Sequence, residues 1–142
     1  MRDFETALKA VGDPTRTRIL KLLEQGELCV CQVQAVLGLA PSTVSKHLAI
    51  LKAAGLVDDC RDGKWIRYGL VSESRNPHGE GVLALLRGPL DREPRIVADR
   101  KRLRQVARVP LTELCNLAPD PTADRLPAPT RARAGRDRRP RT

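Results

Sequence analysis

A mainly helical domain closed by one β-hairpin is what the sequence predicts, and three observations carry that prediction. Pro41 to Gly55 reads as an amphipathic helix with a start and a stop signal. A shorter helix, Val30 to Leu37, precedes it across a turn that contains Gly38. Beyond it, Asp58 to Leu70 reads as two strands joined at Asp62-Gly63.

Taken in order, apolar residues at 4, 7, 8 and 11 make Phe4 to Val11 a short amphipathic helix. Asp13-Pro14 starts the second helix, with Asp as cap and Pro at the first position, and Ile19, Leu20, Leu22 and Leu23 bury it before Gly26. Arg16, Arg18 and Lys21 fall off that stripe and read as a solvated charged face. In the third helix Val30, Val33 and Leu37 form the buried stripe, which puts Cys29 and Cys31 on its two flanks, roughly 200° apart. The fourth opens at Ala40-Pro41-Ser42 and buries Val44, Leu48 and Leu51. Ser42, Lys46 and Ala49 then point away from the core, with Thr43 and Ser45 beside them. That face is small, hydroxylic and basic, as a helix entering a major groove must be.

In the hairpin, a turn at Asp62-Gly63 sets Cys60 opposite Trp65 and Asp58 opposite Arg67, while Arg61, Lys64 and Arg67 place positive charge where a wing meets phosphate. Two helices at a short turn followed by a basic hairpin is the winged helix-turn-helix order. Downstream, Asn76 to Gly79 is a loop, Gly81 to Arg87 a Leu-rich helix broken at Gly88-Pro89, and Pro94 to Val109 an amphipathic helix with Ile96, Val97, Leu103, Val106 and Ala107 on its apolar side. Pro110 to Leu117 adds a last turn carrying Cys115.

Residues 1–117 therefore make one domain, and 118–142 a tail. The tail has five Pro and seven Arg against three Asp, a net +4 of the chain's +9, and too little apolar material to pack. About +5 is left for the domain, so a nucleic-acid partner is argued from the motif more than from charge. With 41% apolar residues a core can form. No run reaches the length of a membrane span and the N-terminus lacks a signal pattern, which makes a cytoplasmic location the expectation.

The four cysteines, Cys29, Cys31, Cys60 and Cys115, are too few and irregular for a disulfide framework and are expected as free thiols in a reducing cytosol. Cys60, and less firmly Cys115, read as buried and inert. Cys29 and Cys31 sit at a helix N-terminus, where backbone N–H groups lower a thiol's pKa and the first turn can distort to bring both sulfurs to one soft centre. Only His47 and His78 accompany them, and neither CxxC pairs nor His spacing supply a zinc site. Soft thiophilic ions fit such a site better than Mg²⁺, Ca²⁺ or Ni²⁺.

Glu27-Leu28-Cys29-Val30-Cys31, Ser42 to Leu48, Leu51 to Val57 and the Asp62-Gly63-Lys64-Trp65 wing together resemble the ArsR/SmtB metal-sensing repressors, closely over Phe4 to Val71. The Cys-Val-Cys segment ahead of the recognition helix is similar to the arsenite-responsive branch. The resemblance implies a homodimer that occupies double-stranded operator DNA and leaves when the ion binds. It also gives His47 a structural or DNA-facing role. In many members a third Cys follows three residues after the second; here that position is Gln34. The family's Asp/His site on its dimer helix and the extra N-terminal cysteines of its cadmium and lead sensors are absent.

The function expected is thus a non-enzymatic repressor released by As(III) or Sb(III) on Cys29 and Cys31. The third ligand is Cys115, less readily Cys60, or an oxygen. Ser42, Thr43, Ser45, Lys46, His47, Ala49, Arg61, Lys64 and Arg67 are the expected DNA contacts. Alternatives are a thiol redox sensor pairing Cys29 or Cys31 with Cys60 or Cys115, a cadmium, lead or zinc sensor, and, from another class, a thiol oxidoreductase or metal carrier.

Overall fold

Capping chemistry sets the first corner. In the computed structural model, which describes residues 1–117, α1 (Arg2–Val11) meets α2 (Pro14–Leu23) where the Asp13 carboxylate accepts from the Arg16 N–H at 3.1 Å. Thr17 Oγ1 and Arg16 Nε donate to the carbonyls of Val11 and Ala10 at 2.9 and 2.7 Å, satisfying acceptors at the end of α1. The tail expected at 118–142 lies outside the described residues.

α3 (Val30–Leu37) ends at a left-handed Gly38, φ 72°, and three residues later α4 (Pro41–Ala53) begins with Pro41 in its first turn. Val44, Leu48 and Leu51 are fully buried, together with Ile19, Leu22 and Val33. Each such side chain contributes about 1.5–3 kcal/mol by leaving water. Gly55, φ 79°, closes α4; a Cβ there would lie 2.9 Å from Asn76 Cβ and Ser74 Oγ, because the chain returning from the hairpin packs on that turn.

The hairpin forms from β2 (Val57–Asp62) and β3 (Trp65–Leu70), but its register differs from the expectation. Cys60 pairs with Arg67, Asp58 with Gly69 and Asp62 with Trp65, so the two-residue turn is Gly63-Lys64. Gly63 takes φ 66° and no other residue type has positive φ among the described residues, so Asp62 stays in the strand instead of entering a turn that needs a left-handed first residue. A slip of two preserves which face each side chain occupies. A strand absent from the sequence reading, β1 (Leu28–Cys29), adds to the free edge of β3 and gives the order β1-β3-β2.

After the hairpin come α5 (Gly79–Leu86), a 3₁₀ turn at Pro89–Arg92, α6 (Pro94–Val106) and α7 (Leu111–Leu117). α6 stops three residues earlier than its apolar pattern suggested. Ile96, Leu103 and Val106 are buried within the chain itself, and Arg102 Nε donates to the Ala35 carbonyl of α3 at 3.0 Å.

The charged residues of α2 are the main correction. They are not a solvated face, because α6 and the 3₁₀ turn cover it. Arg18 makes a bidentate pair with the buried Asp99 at 2.8 Å for both bonds, and that pairing holds its guanidinium further above its ordinary pKa. Lys21, only 1% exposed, donates to Glu24, Asp91 and the Leu86 carbonyl, and Arg100 binds the same two carboxylates. Arg16 is taken up by the Ala10 and Lys9 carbonyls. These bonds fasten α6 and the 3₁₀ turn to α2.

Candidate functional site

Two sites share the α3–α4 unit. On α4, Ser42, Lys46 and Ala49 are exposed, Thr43, Ser45 and His47 are half-buried, and Val44 and Leu48 are sealed in the core. The face that was expected to read DNA is the face presented to solvent. His47 turns toward α2, its Nδ1 lying 3.4 Å from Arg16 Nη1 and 3.9 Å from Asp13 Oδ2, so it also braces α4 against the α1–α2 corner. Ile50, 43% exposed, stands one turn beyond Lys46 on the same side and was missed. The signal was available: it is a large apolar residue off the buried stripe.

At the hairpin tip Arg61 and Lys64 are exposed. Arg61 Nε donates to the Gly63 carbonyl at 3.1 Å, and Lys64 Nζ lies 5.1 Å from the Trp65 ring centre. Arg67 is half-buried and its Nε is held by Asp62 at 2.9 Å. A phosphate must compete with that carboxylate, so Arg67 is a weaker candidate contact than its neighbours.

The four cysteines divide between the two sides of α3. Cys31, at the second position of the helix, is not a free thiol as expected but is joined by a disulfide to Cys115 of α7, itself half-buried and not inert, with 5.4 Å between their Cα atoms. Cys29 is the N-cap residue in extended conformation, and its N–H donates to Gln32 Oε1 at 2.9 Å. It belongs to β1, where it pairs with Arg67, and Arg67 pairs on its other side with Cys60. Directly paired residues of an antiparallel sheet share a face, so Cys29, Arg67 and Cys60 line up across the three strands. Two strand spacings, about 9.6 Å, separate Cys29 from Cys60, more than the roughly 7 Å a disulfide spans between Cα atoms.

Burial decides the electrostatics of Cys29. Desolvation pushes its thiol up to about 11, and the nearby Arg67 charge only partly offsets this. The lowering expected from the helix N-terminus is overridden. Cys60 is half-buried instead of sealed in the core. Among the described residues no group of three His, Cys, Asp or Glu side chains is arranged around a common centre. The pair that the structure does bring together is Cys31 with Cys115, and α3 carries a further feature on that side: Gln34 Oε1 is buried with no donor.

A helix-turn-helix followed by a hairpin with a basic tip, in a three-stranded sheet, is the architecture of winged helix-turn-helix DNA-binding regulators. Residues 13–59 match the model of the arsR family of bacterial regulatory proteins. The chain belongs to that family. It is 38% identical over 95 residues to the arsenic resistance transcriptional regulator ArsR1 of Pseudomonas putida, covering 64% of this chain and 71% of that protein. To a cadmium resistance transcriptional regulatory protein CadC homolog of Staphylococcus aureus it is 38% identical over 72 residues, 50% of this chain and 60% of that one. Reduced HlyU from Vibrio cholerae superposes with a TM-score of 0.53 and 31% identity, over 64% of this chain and 87% of the other.

Proposed function

We propose that this repressor binds double-stranded operator DNA as a homodimer and is released when trivalent arsenic or antimony is captured through Cys31 and a neighbouring thiol, Cys115 or Cys29. The observation that carries the reading is the meeting of Cys31 with Cys115, 84 residues apart in sequence and at bonding distance in space. Once reduced, these two sulfurs form a preorganised dithiol. Soft ligands favour a trivalent thiophilic centre, and no carboxylate or imidazole cluster among the described residues competes for the role. Cys29 joins such a centre only if the first turn of α3 unwinds, because its side chain lies on the sheet side.

The same place is mechanically connected to both DNA-binding parts. Cys31 heads α3, which leads through Gly38-Leu39-Ala40 into α4, and Leu28–Cys29 is hydrogen-bonded to wing strand β3. A sulfur–arsenic–sulfur bridge is longer than a sulfur–sulfur bond, so capture displaces α7 from α3 or moves the head of α3. A coupling of about 1 to 3 kcal/mol between the two sites suffices for release. Dimerisation is supported by apolar residues left exposed, Phe4 and Leu8 on α1, Leu85 on α5 and Val97 on α6. It is required because two recognition helices must reach half-sites about 10 bp apart.

A second reading has its own observation. The Cys31–Cys115 disulfide favours a thiol redox switch using the same pair, and the reduced state named for the HlyU neighbour is in keeping with it. Gel shifts on a palindromic promoter site, titrated with arsenite, antimonite, cadmium, zinc and peroxide, separate the two. Release by arsenite in reductant is expected, lost in Cys31→Ser and in whichever of Cys115→Ser and Cys29→Ser removes the second ligand. Release by peroxide alone transfers the assignment to the redox reading, and release by cadmium but not arsenite to a cadmium sensor. Sedimentation showing only monomer with intact operator binding rules out the homodimer.

A further inference from the structure

Gln34 stands one turn along α3 from Cys31, and residues three apart on a helix share a side. Its Oε1 is buried and accepts no hydrogen bond from any described residue. An amide oxygen stripped of water and given no donor is a cost the fold carries for a reason. Cys31, with which Gln34 shares a side of α3, belongs to the one cysteine pair joined among the described residues. No other buried side-chain acceptor among the described residues is left without a donor, and a disulfide has no hydrogen to donate.

We propose that Gln34 Oε1 receives the hydrogen bond from the hydroxyl that arsenous acid retains when Cys31 and Cys115 displace its other two. This rests on the arsenic reading above and adds a specificity residue to it. The chemistry balances. A small thiol such as glutathione first reduces the Cys31–Cys115 disulfide with two electrons and is itself oxidised to its disulfide. The two protein thiols then replace two hydroxyls of As(OH)₃: two arsenic–oxygen bonds break, two arsenic–sulfur bonds form, and the thiol protons leave in two waters. Arsenic stays trivalent throughout. One As–O–H group remains, enclosed between α3 and α7, and it needs an acceptor. The amide oxygen of Gln34 supplies one where a third cysteine would instead have expelled the hydroxyl as water.

Methylarsonous acid gives the discriminating comparison, since its third substituent is a methyl group and two thiols consume both of its hydroxyls. Gln34→Leu should weaken arsenite binding about tenfold, the value of one hydrogen bond, and leave methylarsonous acid unchanged or tighter. The apo variant should melt no lower than the parent, because an unpaired buried oxygen has been removed. X-ray absorption of the arsenite complex should count two sulfurs and one oxygen in the parent and three sulfurs in Gln34→Cys. Three sulfurs in the parent, or a Gln34→Leu effect that is absent or equal for both arsenicals, overturns the proposal while leaving the arsenic reading intact. So does a variant that shifts only the thiol–disulfide equilibrium against glutathione, since the oxygen then serves the thiols. A parent that binds neither arsenical overturns both.

Discussion

Reducing the Cys31–Cys115 bond should cost this domain a large part of its stability. The bridge closes a loop of 84 residues. On the chain-entropy relation, ΔS ≈ −2.1 − 1.5R ln n, a loop of that size is worth about 4.6 kcal/mol at 25 °C, and measured bridges more often deliver about 2–4 kcal/mol. Against a total stability of about 5–15 kcal/mol this is large without being decisive, so the reduced protein still folds. Urea unfolding followed by circular dichroism, with m near 1.5–2 kcal/mol/M, should show the midpoint fall by about 1 to 2.7 M when reductant is added. Cys115→Ser should unfold like the reduced parent and ignore reductant. Cys29→Ser and Cys60→Ser should keep the full reductant effect, because neither sulfur is in the bridge. An oxidised parent no more stable than the reduced one, or a peptide map placing the bridge on Cys29 or Cys60, refutes the reasoning.

Lys46→Ala should weaken operator binding without lowering the melting temperature, and Arg61→Ala and Lys64→Ala should each reduce the slope of log K against log salt by about 1 in filter-binding titrations. Arg67→Ala should change that slope less, since Asp62 already holds its guanidinium. Asp99→Ala strips a bidentate partner from Arg18, which is 18% exposed and so partly able to rehydrate; a loss of about 2–3 kcal/mol in urea is expected, below the 3–5 of a fully buried pair. For Cys29, a thiol pushed by burial from its ordinary 9.0 up to about 11 means that the neutral form is favoured in the folded state. Its contribution is fully present below pH 9 and is lost as pH rises toward 11, so the parent should lose more stability than Cys29→Ser over that window. Equal losses would remove burial as the cause.

The local elements were legible because their signals are local. Asp13-Pro14, Gly38, Pro41 and Gly55 act within one helical turn of themselves, and the Val44-Leu48-Leu51 stripe needs only helical periodicity to orient Lys46 outward. Helical periodicity put Cys29 and Cys31 on two flanks of α3, but Cys29 lies just ahead of the helix in extended conformation, in β1. What escaped were contacts closed across many residues. Lys21 and Arg18 look solvent-facing when α2 is considered alone; they become buried ion partners because α6 and the turn at Pro89–Arg92, some seventy to eighty residues later, cover that side. β1 is two residues long and exists only because β3 offers an unpaired edge. The partner of Cys31 was one of several open choices, and α7 settled it by bringing Cys115 to the head of α3. Helix ends and the outward face of α4 were thus set by neighbouring residues, whereas the register of the wing, the place of Cys29 in β1, the burial that raises its pKa and the open acceptor on Gln34 depend on which surfaces the fold brings together, a quantity that no short window of sequence contains.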